Sequence, residues 1–370
     1  MRRIQYNVLI IGFISVLLAL YGSFLFARSI TRPVKALVQG AGEIGKGNFD
    51  FSVDVRTGDE LGILGRSFEE MARGLKEREF IRSTFARYVS ADVVSDLIQN
   101  PEKAATGGEK KTLTVLFADL AGFTPMAEAM DAATLISFLN EYLERITDVV
   151  FRCRGTIDKF LGDGVMAFWG APVPSQRHAA DACLAALECR KALEILRSEL
   201  GARGLPQLQA RFGINTGEMI VGNVGSRSRL DYTVVGDEVN LASRLEAVNK
   251  RYGTRILISE NTFREAGDTI AARELDRIRV AGKVKPVVIY ELLAGKEDLA
   301  SDYTLLLPLF ERGLKLYRER SFVGASEMFD SALRISPQDG PSREYLARCR
   351  HLQESPPSDG WDGTLDLLTK

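Results

Sequence analysis

Leu113–Thr124 reads LTVLFADLAGFT, and the interpretation of this stretch decides the fold of the chain. Leu113, Val115, Leu116 and Phe117 form an apolar run that predicts a buried strand ending at an acid, Asp119. A loop containing Gly122 follows, then Thr124 and Pro125, residue types suited to the N-cap and first position of a helix. Backbone N–H groups at such a helix start, beside a carboxylate, can hold a cation and a polyphosphate together. A single Asp at a strand end is more often a plain turn residue, so this reading needs a second acid.

Thr156–Gly170, TIDKFLGDGVMAFWG, supplies one. Two apolar runs flank Gly162-Asp163-Gly164, a hairpin signal that brings Asp163 to the end of a partner strand. Two acids at adjacent strand ends are the equipment of a two-metal phosphoryl site. A third stretch, Asp231–Arg244 (DYTVVGDEVNLASR), predicts a short strand, a Gly-Asp turn and a helix capped by Asp237. On that helix Asn240 and Arg244 are four residues apart and share a face, while Val239, Leu241 and Leu245 can pack inward.

In this order and spacing, the three stretches resemble the class III nucleotidyl cyclases, the family of adenylate and guanylate cyclases. The resemblance covers roughly Lys111 to Leu293, about half the chain. It implies an α+β fold, a ferredoxin-like palm with additions, over residues 111–296. It also implies that Asp119, Asp163 and the carbonyl of Leu120 hold two Mg²⁺ or Mn²⁺ ions. Hard oxygens with no nearby His or Cys suit those cations. The amides of Ala121, Gly122, Phe123 and Thr124, and the side chain of Lys283, are implied as phosphate contacts. Asn240 would orient the ribose, and Arg244 would neutralise charge growing on the α-phosphate. In the family the metals sit on one subunit while the other residues reach in from its partner, which implies a homodimer with interfacial sites.

The choice of base falls to Lys159 and Thr233. Adenine offers an acceptor at N1 and a donor at its amino group; lysine donates and threonine can accept. Guanine would set its N1–H against a lysine and leave a buried donor unmet. The expected activity is therefore adenylate cyclase, with ATP as substrate. The alternatives are a guanylate cyclase or a nucleotide-binding signalling module without turnover.

A net charge of −1 gives no sign of a nucleic-acid binder. The four cysteines, Cys153, Cys183, Cys189 and Cys349, lack metal-ligand spacing and fit a reducing compartment. Val8–Ala27 is an uncharged run of twenty residues, long enough to cross a bilayer once. Residues 1–27 are thus read as an N-terminal segment with a membrane helix, in the inner membrane with the catalytic domain cytoplasmic. Arg2 and Arg3 sit awkwardly with an outside N-terminus, which suggests that the sequence starts within a longer receptor.

Residues 28–79 resemble a HAMP domain, the signalling linker of membrane receptors. Ile30, Val34, Leu37, Ala41 and Ile44 form one coiled-coil seam, and Leu61, Leu64, Phe68, Met71 and Leu75 another. Residues 80–110 are expected to be a transducer helix and linker. Within the catalytic domain the pattern predicts helices over 126–152 and 176–200, a hairpin around Asn215-Thr216-Gly217, and strands over 255–259 and 286–292. Helices are expected on one face of the sheet. Residues 302–353 are read as a TPR-like helical hairpin, from the placement of Gly313, Ala325, Phe329, Ala332 and Pro337. It could serve a protein partner. Residues 354–370 are expected to be a flexible tail, with Trp361 hinting at a contact.

Overall fold

The computed structural model describes residues 2–51, 58–85, 93, 107–226, 229–280 and 285–367. It divides into two compact units, Met1–Ala91 and Asp92–Lys370. In the first, α1 (Arg2–Phe26) passes through a π-helical stretch, Ala27–Thr31, into α2 (Arg32–Gly45), and α3 spans Glu60–Phe85. The helical run from Tyr6 is long and apolar enough to cross a membrane, and its most apolar window has no buried residue. Within this unit Ile30, Val34, Leu64 and Met71 of the two seams stay exposed. An apolar seam left open in one copy is what a coiled-coil pairing would cover. Most of the expected transducer segment lies outside the described residues, and α3 runs on to Phe85.

The second unit opens with β1 (Gly107–Leu120), α4 (Phe123–Ala129), α5 (Ala132–Arg152), β2 (Thr156–Leu161), β3 (Gly164–Trp169), α6 (His178–Ala202) and β4 (Ala210–Ser226). These strands stand in the order β2-β3-β1-β4, each neighbouring pair antiparallel. That order with its two helical crossovers is the ferredoxin-like split βαβ palm. The additions follow: β5 (Arg229–Val235) on the far half of β4, α7 (Asp237–Tyr252), β6 (Ile256–Ser259), α8 (Glu260–Ala266), β7 (Ile270–Val280) and β8 (Val287–Gly295). Last come α9 (Ser301–Arg318), α10 (Phe322–Ile335), α11 (Gly340–Glu354) and β9 (Leu365–Leu367).

Strand periodicity sends alternate residues of β1 and β3 into different cores. Leu116, Ala118, Leu120, Val165, Ala167 and Trp169 meet α5 and α6 on one face. Leu113, Val115, Met166 and Phe168 meet Val239 and Ala242 of α7 on the other. Helices therefore cover both faces, which corrects the one-face expectation. The sheet is buried on both sides because α7 carries two apolar rows. Leu241, Leu245, Val248 and Tyr252 form a further core with β6, β7, β8 and the C-terminal helices.

Several local expectations are also corrected. β4 runs unbroken through Asn215-Thr216-Gly217, because those residues pair along β1; its hairpin partner β5 comes after Ser226. The expected 126–152 helix is two helices, since the Asp131 side chain accepts from the Ala133 and Thr134 amides and caps a new start. β7 escaped the sequence reading altogether.

The C-terminal region has three helices rather than a pair. Gly313 lies against the Phe329 ring, where an added Cβ would approach to 2.8 Å. Nor is the tail loose over its described residues. Trp361 packs edge-on to Tyr317 and Phe322, Arg320 donates to the carbonyls of Ser358, Asp359 and Trp361, and β9 extends the sheet beside β7. Arg273 of β7 is only 1% exposed and bonds Glu291 and Asp339, while Asp339 also caps α11. A second buried pairing joins Arg348 to Asp276 at 2.6 Å and to the Tyr252 hydroxyl at 2.8 Å.

Candidate active site

β1 and the β2–β3 hairpin place the two acids. Leu161 pairs with Gly164, leaving Gly162 and Asp163 as the two-residue turn, with Gly162 in the left-handed region at φ 71°. Ala118 is opposite Val165, so the turn overhangs the end of β1 and brings Asp163 against Asp119. Burial first, and then the Asp163 carboxylate, push the Asp119 carboxyl up to about 6; Arg211 opposes them. Two adjoining carboxylates are a donor set that a hard divalent cation satisfies. Among the described residues no group of three or more His, Cys, Asp or Glu is placed to hold a metal. The residues present thus fit an ion that takes its remaining oxygens from backbone, water and phosphate, with Leu120 closing β1 beside Asp119.

Sequence reasoning missed two partners of this acid corner. Arg211 sits opposite Asp119 in the β1–β4 register, with Nη2 3.5 Å from Oδ2. Its Nε lies 3.1 Å from Glu246 Oε1 on α7, at ion-pair distance but misaligned for a hydrogen bond. Burial outweighs the arginine's charge and pushes Glu246 up to about 7. α7 reaches this close because β4 has Gly213 there: a Cβ would run into the Ala242 carbonyl and the Glu246 amide. The alternation of β4 puts Arg211 and Gly213 on one strand face, but their partners on β1 and α7 come only from the tertiary register.

The loop after Asp119 differs in detail from the expectation. Gly122, left-handed at φ 74°, is the N-cap of α4, and Thr124 falls inside the helix rather than capping it. The Ala121 amide donates to the Gln209 carbonyl at 2.7 Å, so it is engaged within the fold. Gly122 and Thr124 are exposed and Phe123 is half-buried at the first turn, whose N–H groups have no intrahelical acceptor. Likewise α7 starts after Gly236 at the N-cap, with Asp237 as its first residue. Lys283 lies outside the described residues.

Lys159 and Thr233 come together through a residue that the sequence did not single out. The β2–β3 register slips between Ile157 and Lys159, and this bulge turns the Asp158 side chain inward. Thr233 Oγ1 donates to Asp158 Oδ2 at 2.5 Å, and the Val234 amide donates to the same oxygen at 3.4 Å. Lys159 Nζ stands 3.3 Å from the other oxygen, Oδ1. The Asp158 side chain has no exposed surface, and burial raises its pKa against the pull of Thr233 and Lys159.

Asn240 and Arg244 lie on the first half of α7, Asn240 exposed and Arg244 half-buried. Each helical residue advances by about 100°, so Arg244 is turned about 160° and Asn240 about 120° from Glu246. Glu246 faces Arg211 and the acid corner. Asn240 and Arg244 therefore face away from the acids of their own chain.

A split palm with paired acids at adjoining strand ends and a cationic residue on a flanking helix defines a catalytic domain of the nucleotide-cyclase type. The profile of the adenylate and guanylate cyclase catalytic domain matches residues 107–294, and that of the HAMP domain residues 25–77. The chain belongs to the adenylate and guanylate cyclase family. It is 35% identical over 280 residues to "Adenylate cyclase 1" of Rhizobium meliloti, covering 76% of this chain and 41% of that protein. Among solved structures it is 39% identical to the adenylyl cyclase CyaB from P. aeruginosa, over 53% of this chain and 100% of that one, with a TM-score of 0.49. The guanylyl cyclase Cya2 is 36% identical over 52% of this chain and 97% of that one, also with a TM-score of 0.49. The chain spans about half the length of the curated relatives it matches, 41% and 59% for two of them.

Proposed function

We propose that the chain is a membrane-anchored adenylate cyclase that converts ATP to 3′,5′-cyclic AMP and pyrophosphate in a homodimer. The observation that carries this reading is the contact of Asp119 with Asp163 at the edge of the palm. Asp119, Asp163 and the Leu120 carbonyl would hold two Mg²⁺ or Mn²⁺ ions, which would supply Lewis acidity toward the ribose 3′-hydroxyl and the phosphate charge. The first-turn amides of α4 face the phosphates, with Lys283 as a further phosphate contact. Arg244 neutralises charge that develops on the α-phosphate, and Asn240 orients the ribose. Lys159 donates to adenine N1, and Thr233 accepts from the amino group.

The turn of α7 supports a shared site. Since Glu246 faces the acid corner, one copy offers acids on one side of α7 and Asn240 with Arg244 on the other. A site that uses both sets is completed by a second copy, and two-fold pairing gives two such sites. In this reading the exposed HAMP seams pair the copies, α1 anchors them in the inner membrane, and the cyclase unit lies on the cytoplasmic side. The direct test is purified chain with Mn²⁺ and either ATP or GTP, with cyclic products separated by chromatography. Cyclic AMP as the main product supports the assignment, and a preference for GTP overturns it.

A further inference from the structure

We propose that Asp158 is a specificity-determining positioning residue, which fixes Thr233 as a hydrogen-bond acceptor and steadies Lys159 as the donor beside it. The inference rests on the adenine-site reading of Lys159 and Thr233 and supplies what that reading lacks. A threonine hydroxyl both donates and accepts, so alone it fits an amino group and a carbonyl equally well. Here the hydroxyl proton is directed to Asp158 Oδ2 at 2.5 Å, which leaves only lone pairs for a ligand. The Val234 amide on the same oxygen holds the carboxylate in that orientation. The second oxygen, Oδ1, is buried, has no hydrogen-bond partner, and lies 3.3 Å from Lys159 Nζ. One carboxylate thus sets the polarity of one base-reading group and the place of the other.

Asp158→Asn tests this, because an amide cannot accept on both sides. If its oxygen stays with Thr233, its N–H₂ faces the Lys159 ammonium. If it turns, Thr233 must accept from the amide, and its own proton points to the ligand, as a guanine carbonyl requires. Initial rates of the full chain with Mn²⁺ and ATP or GTP would give the ratio of kcat/KM for the two nucleotides. The expected result is a fall in that ratio of about tenfold or more, with Mn²⁺ binding unchanged because the acid corner is built from β1 and the β2–β3 turn. Equal losses for both nucleotides, or an unchanged ratio, would overturn the role of Asp158. If Asp158→Asn does not give a folded dimer, Asp158→Ala carries the same comparison, since it frees the Thr233 hydroxyl without burying an unpaired amide. Failure of the underlying reading is separately visible as a wild-type preference for GTP.

Discussion

The acid corner holds a half-buried carboxylate and the edge beside β2 a fully buried one, and the two are treated in opposite ways. Asp119 lies against another acid, with one arginine at 3.5 Å that is shared with Glu246. Asp158 lies among donors: a hydroxyl, a backbone amide and a lysine. Burial raises the pKa at both sites, but only at Asp119 does a neighbouring carboxylate add to it. Negative charge left unbalanced by the fold marks a place for a cation from outside. Charge already matched within the fold orients other groups, here the ones proposed to read the base.

Substitution separates the two roles most sharply at the acids. Asp119→Ala or Asp163→Ala should cut turnover by at least about a thousandfold, as expected when several kcal/mol of metal assistance is lost. Each should also relieve repulsion, so the melting temperature of the metal-free protein should hold or rise. Near-normal rates at saturating Mn²⁺ would erase the contrast between the regions.

A smaller effect, on stability rather than chemistry, is expected where the C-terminal helices meet the sheet. Asp339→Ala removes a cap from α11 and one of the two carboxylates on Arg273, which is 1% exposed and keeps Glu291. Losing a hydrogen-bond partner of a buried charged group costs about 1.5–3 kcal/mol and losing a cap about 1 kcal/mol, readable by denaturant unfolding. A loss below about 1 kcal/mol would mean that these helices are an appendage.

The mildest of these effects is a pH dependence peculiar to the acid corner. The folded pKa of Asp119 is about 6 and that of Glu246 about 7. Both lie above the ordinary carboxylate range of about 4, so these two groups bind more protons in the folded state than in the unfolded one. Their contribution to the stability of the metal-free chain should therefore fall as pH rises from about 4 to about 7. Asp119→Asn should flatten the lower part of that slope. Thermal melts of wild type and Asp119→Asn across this range check it, and identical pH profiles for the two would contradict the charge balance described here.

The chain order and the acids were legible because they depend on local signals: an apolar run ending in Asp119, and a Gly-Asp-Gly turn between two others. Lys159, Thr233, Asn240 and Arg244 were found through resemblance. Arg211, Glu246 and Asp158 were not, because each acts across a strand register or a bulge that no local pattern reveals. The unbroken course of β4 was hidden for a related reason. Asn215-Thr216-Gly217 has turn composition, but its backbone is held along β1, and the Thr216 hydroxyl bonds Thr114 at 2.8 Å. Tertiary pairing overrode local propensity. The tail's mobility was read from its Pro, Ser and Gly content, while Trp361, the residue that hinted at a contact, packs against Tyr317 and Phe322.

The central claim is that the acid corner and the Asn240–Arg244 face of α7 work on the same substrate only across a pair of chains. It is tested most directly by mixing Asp119→Ala protein with Arg244→Ala protein, each inactive alone, under conditions in which subunits exchange. A mixed dimer carries one site with both lesions and one with neither. With random pairing half the dimers are mixed, so the pool should recover roughly a quarter of wild-type cyclic AMP formation. Recovery should disappear on dilution below the dimer dissociation constant. No recovery from folded, exchanging chains would show that each site is built within one chain and would contradict the account.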